Sequence, residues 1–356
     1  MPAQHESRRL LLAESLRAAD LEVALVTSLV NVRYLTGFTG SSAALAVRGD
    51  GSAELVTDSR YTLQVREECP DVPAHISRGG HRFLAERLEG DCSGAAGFED
   101  RSLSVAGFRD LPTSADWRPL GTMVGDLRMV KDAGEIELLR AACRASDAAL
   151  AEALPRIRTG VTEREVARWI DDGLRDRSEG PGFETIVAAG ANGAIPHHQP
   201  TDRMLASGDL VTIDFGARVG GYHADMTRTF AVAHSDDWQR EIYEVVRLAQ
   251  AEGVAALAPG REAPDVDAAS RKVIEQAGYG KFFGHGLGHG VGLQIHEAPF
   301  LGASSADKLK ASVPVTVEPG VYLPEQGGVR IEDTVVVHED HVETLTTTTR
   351  DLLVVG

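Results

Sequence analysis

The chain has 356 residues, and 53 acidic side chains against 36 Lys and Arg give it a formal net charge of −17. That sign repels phosphate backbones and anionic headgroups, which excludes a broad nucleic-acid or membrane-binding surface. With 43% hydrophobic and 25% charged residues the composition is that of a folded globular protein, long enough for two domains or one unusually large one. Cys69, Cys92 and Cys143 match no Cys-x-x-Cys spacing. So sparse and odd a set reads as reduced thiols of a cytosol. Met1 to Leu12 lacks the apolar core of a signal peptide, and no run of 18 apolar residues occurs, so a cytoplasmic protein with no membrane span is expected.

In chain order, Arg8 to Ala19 carries leucines among charges and predicts a helix. Leu21 to Val26 reads as a buried strand, and Ala43 to Val47 with Ala53 to Thr57 as a strand pair around Gly49-Asp50-Gly51. Tyr61 to Glu68 and Arg82 to Leu88 read as helices, and Gly97 to Trp117 as a further β-α-β unit. Together these predict an α/β domain over 1–125, followed by a second domain over 126–356, with the boundary near Thr122 to Val130. In the second domain Asp132 to Ala153 predicts a strong helix, and Thr162 with Glu165 has the signature of a capping box opening the next one. Strands follow at Leu210 to Phe215 and Ala224 to Ala233, helices at Glu241 to Leu257 and Ala263 to Ala277, and a strand-rich stretch from Val313. Strand runs interrupted by helix pairs predict an α+β fold.

Four acids lie where strands are expected. Asp214 sits in Leu-Val-Thr-Ile-Asp-Phe-Gly, Asp225 in Gly-Tyr-His-Ala-Asp-Met-Thr-Arg-Thr-Phe, Glu318 in Val-Pro-Val-Thr-Val-Glu-Pro-Gly and Glu332 in Gly-Val-Arg-Ile-Glu-Asp-Thr-Val-Val-Val. One such acid is usually an edge residue or an arginine's partner. Arg330, on the same face as Glu332 by two-residue periodicity, cannot neutralise four. Desolvated carboxylates that converge must protonate or hold cations. Neutral nitrogen ligands are available in Phe-Gly-His-Gly-Leu-Gly-His-Gly-Val-Gly-Leu-Gln-Ile-His-Glu, which carries His285, His289 and His296 among alternating glycines that let backbone crowd a centre. Neither a dinucleotide-binding glycine loop nor His-Glu-x-x-His fits this stretch.

The order Asp214, Asp225, His289, Glu318, Glu332 resembles the dinuclear metal set of the pita-bread metallopeptidases, which include methionine aminopeptidases, prolidases and aminopeptidases P. Asp-Phe-Gly, Gly-Tyr-x-x-Asp-x-Thr-Arg-Thr, Gly-His-Gly-x-Gly, Glu-Pro-Gly-x-Tyr and Gly-x-Arg-Ile-Glu-Asp are intact, so no ligand is missing. The resemblance implies a C-terminal pita-bread domain preceded by a smaller creatinase-type α/β domain. Asn31 to Ser41 and Thr57 to Tyr61 look like the short bacterial Xaa-Pro peptidases, more like aminopeptidase P than prolidase. Creatinase itself lacks the metal carboxylates.

By that resemblance the five ligands would hold two divalent ions, Mn(II) first, with Co(II) or Zn(II) as substitutes, and a bridging hydroxide would be the nucleophile. Glu318 would double as proton shuttle. Of the adjacent pair in Ile-Pro-His-His-Gln-Pro, His197 matches the family histidine at the scissile amide, while His198 reads as a solvent contact. His296 matches the residue that steadies the oxyanion, and His285 the extra histidine beside the prolyl group. Arg330 would orient a carboxylate, hold substrate or form a plain salt bridge. The implied activity is that of an Xaa-Pro aminopeptidase acting on peptides with proline second. An Xaa-Pro dipeptidase (prolidase) is the close alternative, and a non-catalytic pita-bread binding protein the remote one. Family members associate as dimers, so a homodimer is expected.

Overall fold

The computed structural model describes residues 2–88 and 94–356, so Cys92 lies outside the described residues. The chain divides into two compact units, Met1–Arg128 and Met129–Gly356.

In the first unit the strands β1 (Val23–Val26), β2 (Ala43–Arg48), β3 (Ala53–Thr57), β4 (Ala74–Ile76), β5 (Ala95–Phe98) and β6 (Asp116–Pro119) form one sheet in the order β4-β3-β2-β1-β5-β6. The β2–β3 hairpin is antiparallel, turning through Gly51 at φ +87°, whereas β1–β5 and β5–β6 are parallel, as a β-α-β unit requires. Its helices are α1 (Pro2–Ala18), α2 (Leu29–Thr36), α3 (Thr62–Glu68), α4 (Gly80–Leu88), α5 (Val105–Arg109) and α6 (Met123–Met129), the last ending one residue into the second unit. Sequence periodicity did not reveal α2. It is short, and Val30, Val32 and Thr36 are β-branched residues of low helix propensity; Gly37, at φ +84°, closes it.

The second unit opens with α7 (Ala133–Ala153) and α8 (Glu163–Arg175), each started by a complete capping box, Asp132 with Glu135 and Thr162 with Glu165. Strands β7 (Ile186–Ala189), β8 (Leu210–Phe215), β9 (Arg218–Val219), β10 (Tyr222–His223) and β11 (Met226–Val232) follow, then α9 (Asp237–Ala255) and α10 (Ala263–Gln276). The chain finishes with β12 (Gly288–Gly290), β13 (Glu297–Leu301), β14 (Val313–Val317), β15 (Gly320–Leu323), β16 (Gly327–Arg330), β17 (Asp333–Val337), β18 (Val342–Thr344) and β19 (Val354–Val355). Two larger sheets result, ordered β19-β11-β8-β7 and β13-β12-β14-β17-β18, with β9–β10 and β15–β16 as separate two-stranded ribbons.

Alternation along these strands places the site. Val211, Ile213 and Phe215 share a core with Leu139, Leu150 and Ile170 of α7 and α8. Val313, Val315 and Val317 share another with Ile242, Val246 and Val266 of α9 and α10. The intervening positions carry polar side chains: Thr212 bonds Thr229 across the β8–β11 ladder, and Thr316 pairs in register with Thr334 across β14–β17. Each sheet therefore has a helix-covered apolar face and a face bearing threonines and acids. The α+β architecture is the one expected from the strand and helix runs.

Candidate active site

Of the four acids, only Asp214 lies within a strand. Asp225 occupies the break between β10 and β11, Glu318 the break between β14 and β15, and Glu332 the break between β16 and β17. The last two breaks face each other: the β14–β17 ladder stops at Val317↔Asp333 and the β15–β16 ladder begins at Gly320↔Arg330. Where a strand leaves its ladder, a side chain can turn off the regular alternation. Backbone approach is tight at His289, because a Cβ on Gly288 would lie 2.1 Å from the Thr316 carbonyl oxygen and one on Gly290 2.3 Å from that of Ala298. Only glycine lets β12 seat there.

All nine residues singled out from the sequence line one cavity of about 640 Å³. The donor atoms of Asp225, His289 and Glu332 lie within 4.8 Å of one another, and all three residues are buried. The His289 Nδ1–H donates to the Gly290 carbonyl at 3.0 Å, which turns the Nε2 lone pair toward the acids, 3.4 Å from Glu318 Oε1 and 3.6 Å from Asp225 Oδ2. Burial holds this imidazole down to about 4, so it is neutral and offers those oxygens no proton. Glu332 accepts from the Thr227 hydroxyl at 2.6 Å and Glu318 from the Thr316 hydroxyl at 3.3 Å. Arg330 binds Asp214 Oδ2 at 2.7 Å, leaving Asp214 Oδ1 buried without a hydrogen-bond partner.

The electrostatics are those of an acid cluster short of positive charge. Burial and then repulsion from neighbouring carboxylates push the Asp225 and Glu332 carboxyls well above their ordinary range. Burial lifts Glu318 to about 8, with Arg330 pulling the other way. Acceptors facing acceptors, an orphaned Asp214 oxygen and one neutral imidazole lone pair make a donor set suited to divalent cations with oxygen and nitrogen preference.

The other histidines divide into two kinds. His197 and His296 are exposed on the cavity wall and make no hydrogen bond to the described residues; the His296 ring stands edge-on to His289 with centroids 4.3 Å apart. Both nitrogens of His285 are engaged, Nδ1 with the Gly286 carbonyl at 2.8 Å and Nε2 with the Tyr322 hydroxyl at 2.9 Å. Burial holds it down to about 4 as well. The Tyr322 hydroxyl in turn accepts from Arg330 Nη1 at 3.0 Å, and Arg330 also donates to Thr227 and to the Pro196 carbonyl. Arg330 is thus committed to Asp214 and not to Glu332, the partner that two-residue periodicity had offered. His198 departs from the expected solvent contact: it is buried, and its Nε2 donates to Glu163 Oε2 at 2.9 Å. The chain turns at Pro196–His197, so that His197 lines the cavity while its neighbour His198 is buried against Glu163.

The sequence profile of the Metallopeptidase family M24 matches residues 137–339. This chain belongs to that family. The profile of the Creatinase/Prolidase N-terminal domain matches residues 8–130. Like other members, the chain is a hydrolase of the metallopeptidase class with a pita-bread catalytic domain. It is 41% identical over 336 residues to the Xaa-Pro dipeptidase of Pyrococcus furiosus, covering 94% of this chain and 96% of that one. Among solved structures, the Xaa-Pro dipeptidase from Bacillus anthracis superposes with a TM-score of 0.94 at 33% identity, covering all of both chains. The X-Pro aminopeptidase from Thermotoga maritima superposes at 0.88 with 34% identity, over 96% of this chain and 100% of that one.

Sequence reasoning passed over Tyr322, Thr227 and Thr316. Tyr322 and Thr227 stood inside motifs already noted, Glu-Pro-Gly-x-Tyr and Asp-x-Thr-Arg-Thr, but a hydroxyl in a strand carries no signal of its own until its partner is known. Among the described residues no helix is long and apolar enough to cross a membrane.

Proposed function

We propose that this chain is an Xaa-Pro dipeptidase, hydrolysing the bond before proline, with Asp214, Asp225, His289, Glu318 and Glu332 holding two divalent cations, Mn(II) by preference. The observation that carries the reading is the cluster of acids and one imidazole lone pair with no internal counter-charge sufficient for them. The dipeptidase names of relatives that match nearly end to end favour this substrate over the longer peptides expected from the N-terminal motifs. The Thermotoga likeness keeps an Xaa-Pro aminopeptidase as the second reading.

When bound, two such cations supply Lewis acidity and a water acidic enough to attack at neutral pH. The side chains do the rest. With cations in place Glu318 would take a proton from the attacking water on its carboxylate and deliver it to the prolyl nitrogen, a leaving group that has no N–H of its own. His197 donates to the scissile amide, and His296 donates to the oxygen on which negative charge develops. Arg330 holds Asp214 Oδ2 and leaves Oδ1, which has no hydrogen-bond partner among the described residues, to serve as a ligand. His285, with both nitrogens occupied, meets the prolyl ring as a flat apolar wall beside Tyr322. A homodimer in the cytoplasm is the proposed setting. Cys69 and Cys143 are buried free thiols, Cys69 lifted to about 11 by burial, which suits a reducing compartment.

The test is to strip the protein of metal, restore Mn(II), Co(II) or Zn(II) singly, and assay Xaa-Pro beside Xaa-Pro-Yaa. Metal-dependent cleavage of the dipeptide alone supports the reading. Cleavage of tripeptides moves the assignment to aminopeptidase, and no cleavage of either removes the proline specificity.

A further inference from the structure

Among the described residues the His197 ring makes no hydrogen bond, so the backbone fixes its place on the cavity wall. That backbone belongs to the segment between the end of β7 at Ala189 and Thr201, and one carboxylate ties both its ends. Glu163, the first residue of α8, has no solvent exposure. Its Oε1 accepts from the Ala189 N–H at 2.8 Å and the Asn192 side-chain amide at 2.9 Å. Its Oε2 accepts from His198 Nε2 at 2.9 Å and from the Thr201 N–H and hydroxyl at 3.0 and 2.7 Å. Burial alone would raise this carboxyl, but the donors outweigh it and hold it below its ordinary value. The N-terminal end of α8 favours the same ionised form.

The segment is held from the other side too. Arg330 Nη1 donates to the Pro196 carbonyl at 3.3 Å. Gly193 lies so close to the β16 backbone that a Cβ on Gly328 would stand 2.1 Å from the Gly193 carbonyl oxygen. His197 therefore has an anchored residue on each side, Pro196 through Arg330 and His198 through Glu163. A residue between two anchors is restricted in both position and direction, whereas one on a loop tied at a single end would sample many orientations.

We propose that Glu163 is a positioning residue for the reaction: it clamps the 189–201 segment and thereby sets His197 toward the scissile amide. His198 is the clamp's contact next to the working histidine. The inference rests on the role of His197 given above, and two readouts keep the two claims apart.

The test uses the full-length, metal-loaded protein and compares Glu163→Gln, His197→Ala and the double variant. Glutamine keeps the shape but turns an amide N–H toward donors. Loosening of the geometry should lower kcat by about tenfold or more while KM stays within about threefold, since misplacement acts on the reacting centre. Amide hydrogen exchange should rise over residues 189–201 and stay unchanged in β8, β11, β14 and β17. In the His197→Ala background the kcat effect of Glu163→Gln should vanish, because both act through one group.

Unchanged exchange over 189–201, or a kcat loss that persists in full without His197, would overturn the proposal. A loss of stability with undiminished kcat per folded molecule would do the same, reducing Glu163 to a fold-stabilising residue. If His197→Ala itself leaves turnover intact, the fault lies with the role of His197, while exchange still decides whether Glu163 is the clamp. Should Glu163→Gln fail to fold, Thr201→Val removes one of the same bonds and is read in the same way.

Discussion

Removing the cations should make stability depend on pH in a direction opposite to ordinary acid denaturation. In the metal-free chain the Glu318 carboxyl is lifted from 4.5 to about 8 by burial. The folded state therefore binds its proton more tightly than the unfolded chain does. The sign follows: below about pH 4.5 the group is protonated in both states and costs nothing, and stability then falls as pH rises until the folded carboxyl also ionises near 8. At ~1.4 kcal/mol per pH unit, Glu318 alone sets a loss on the order of 5 kcal/mol across that window. Asp225 and Glu332 are shifted the same way and titrate with it as one cluster, so the loss belongs to the set of acids. Since whole domains are stable by about 5–15 kcal/mol, the metal-free catalytic unit should be near unfolding in mild alkali. Cations that keep these carboxylates ionised at every working pH should abolish the slope. Urea unfolding after chelation, at several pH values between about 5 and 8.5, reads this directly. In a Trp117→Phe background the emission comes from Trp169 and Trp238, both in the second unit. Glu318→Gln should flatten part of the metal-free slope. A metal-free midpoint that is flat or rises over this range would refute the reasoning, because the acids would then not be desolvated together.

Asp225→Asn removes a charge from the centre of the cluster and should abolish metal-dependent turnover with loss of bound metal; full activity with both metals retained would remove the basis of the mechanism. Arg330→Lys replaces a guanidinium that serves Asp214, Thr227, Tyr322 and Pro196 with a point charge that cannot reach all four, and kcat/KM should fall ~10–100-fold, as for partners that orient metal ligands. Gly328→Ala would put a Cβ 2.1 Å from the Gly193 carbonyl oxygen; about 1–3 kcal/mol of stability should be lost in urea unfolding, and an unchanged midpoint would show that the contact is slack.

Much of this site is written in the sequence as contradiction. A single acid in an apolar stretch has an ordinary structural explanation, but four of them with one nearby arginine do not, so the cluster stands out from residue order as a set. The fold class followed from strand runs and two helix pairs for the same reason, since periodicity reports which face is buried. What the sequence hid were partners. Arg330 and Glu332 share a face by alternation, yet the chain leaves its ladder at Ile331–Glu332, and the guanidinium goes to Asp214. His198 looked like a surface residue because Glu163, its partner, stands 35 positions away at the start of a helix. Glu163 itself sits in Thr-Glu-Arg-Glu, where two acids beside a capping threonine read as ordinary first-turn charges. Buried polar contacts between distant segments leave no local pattern.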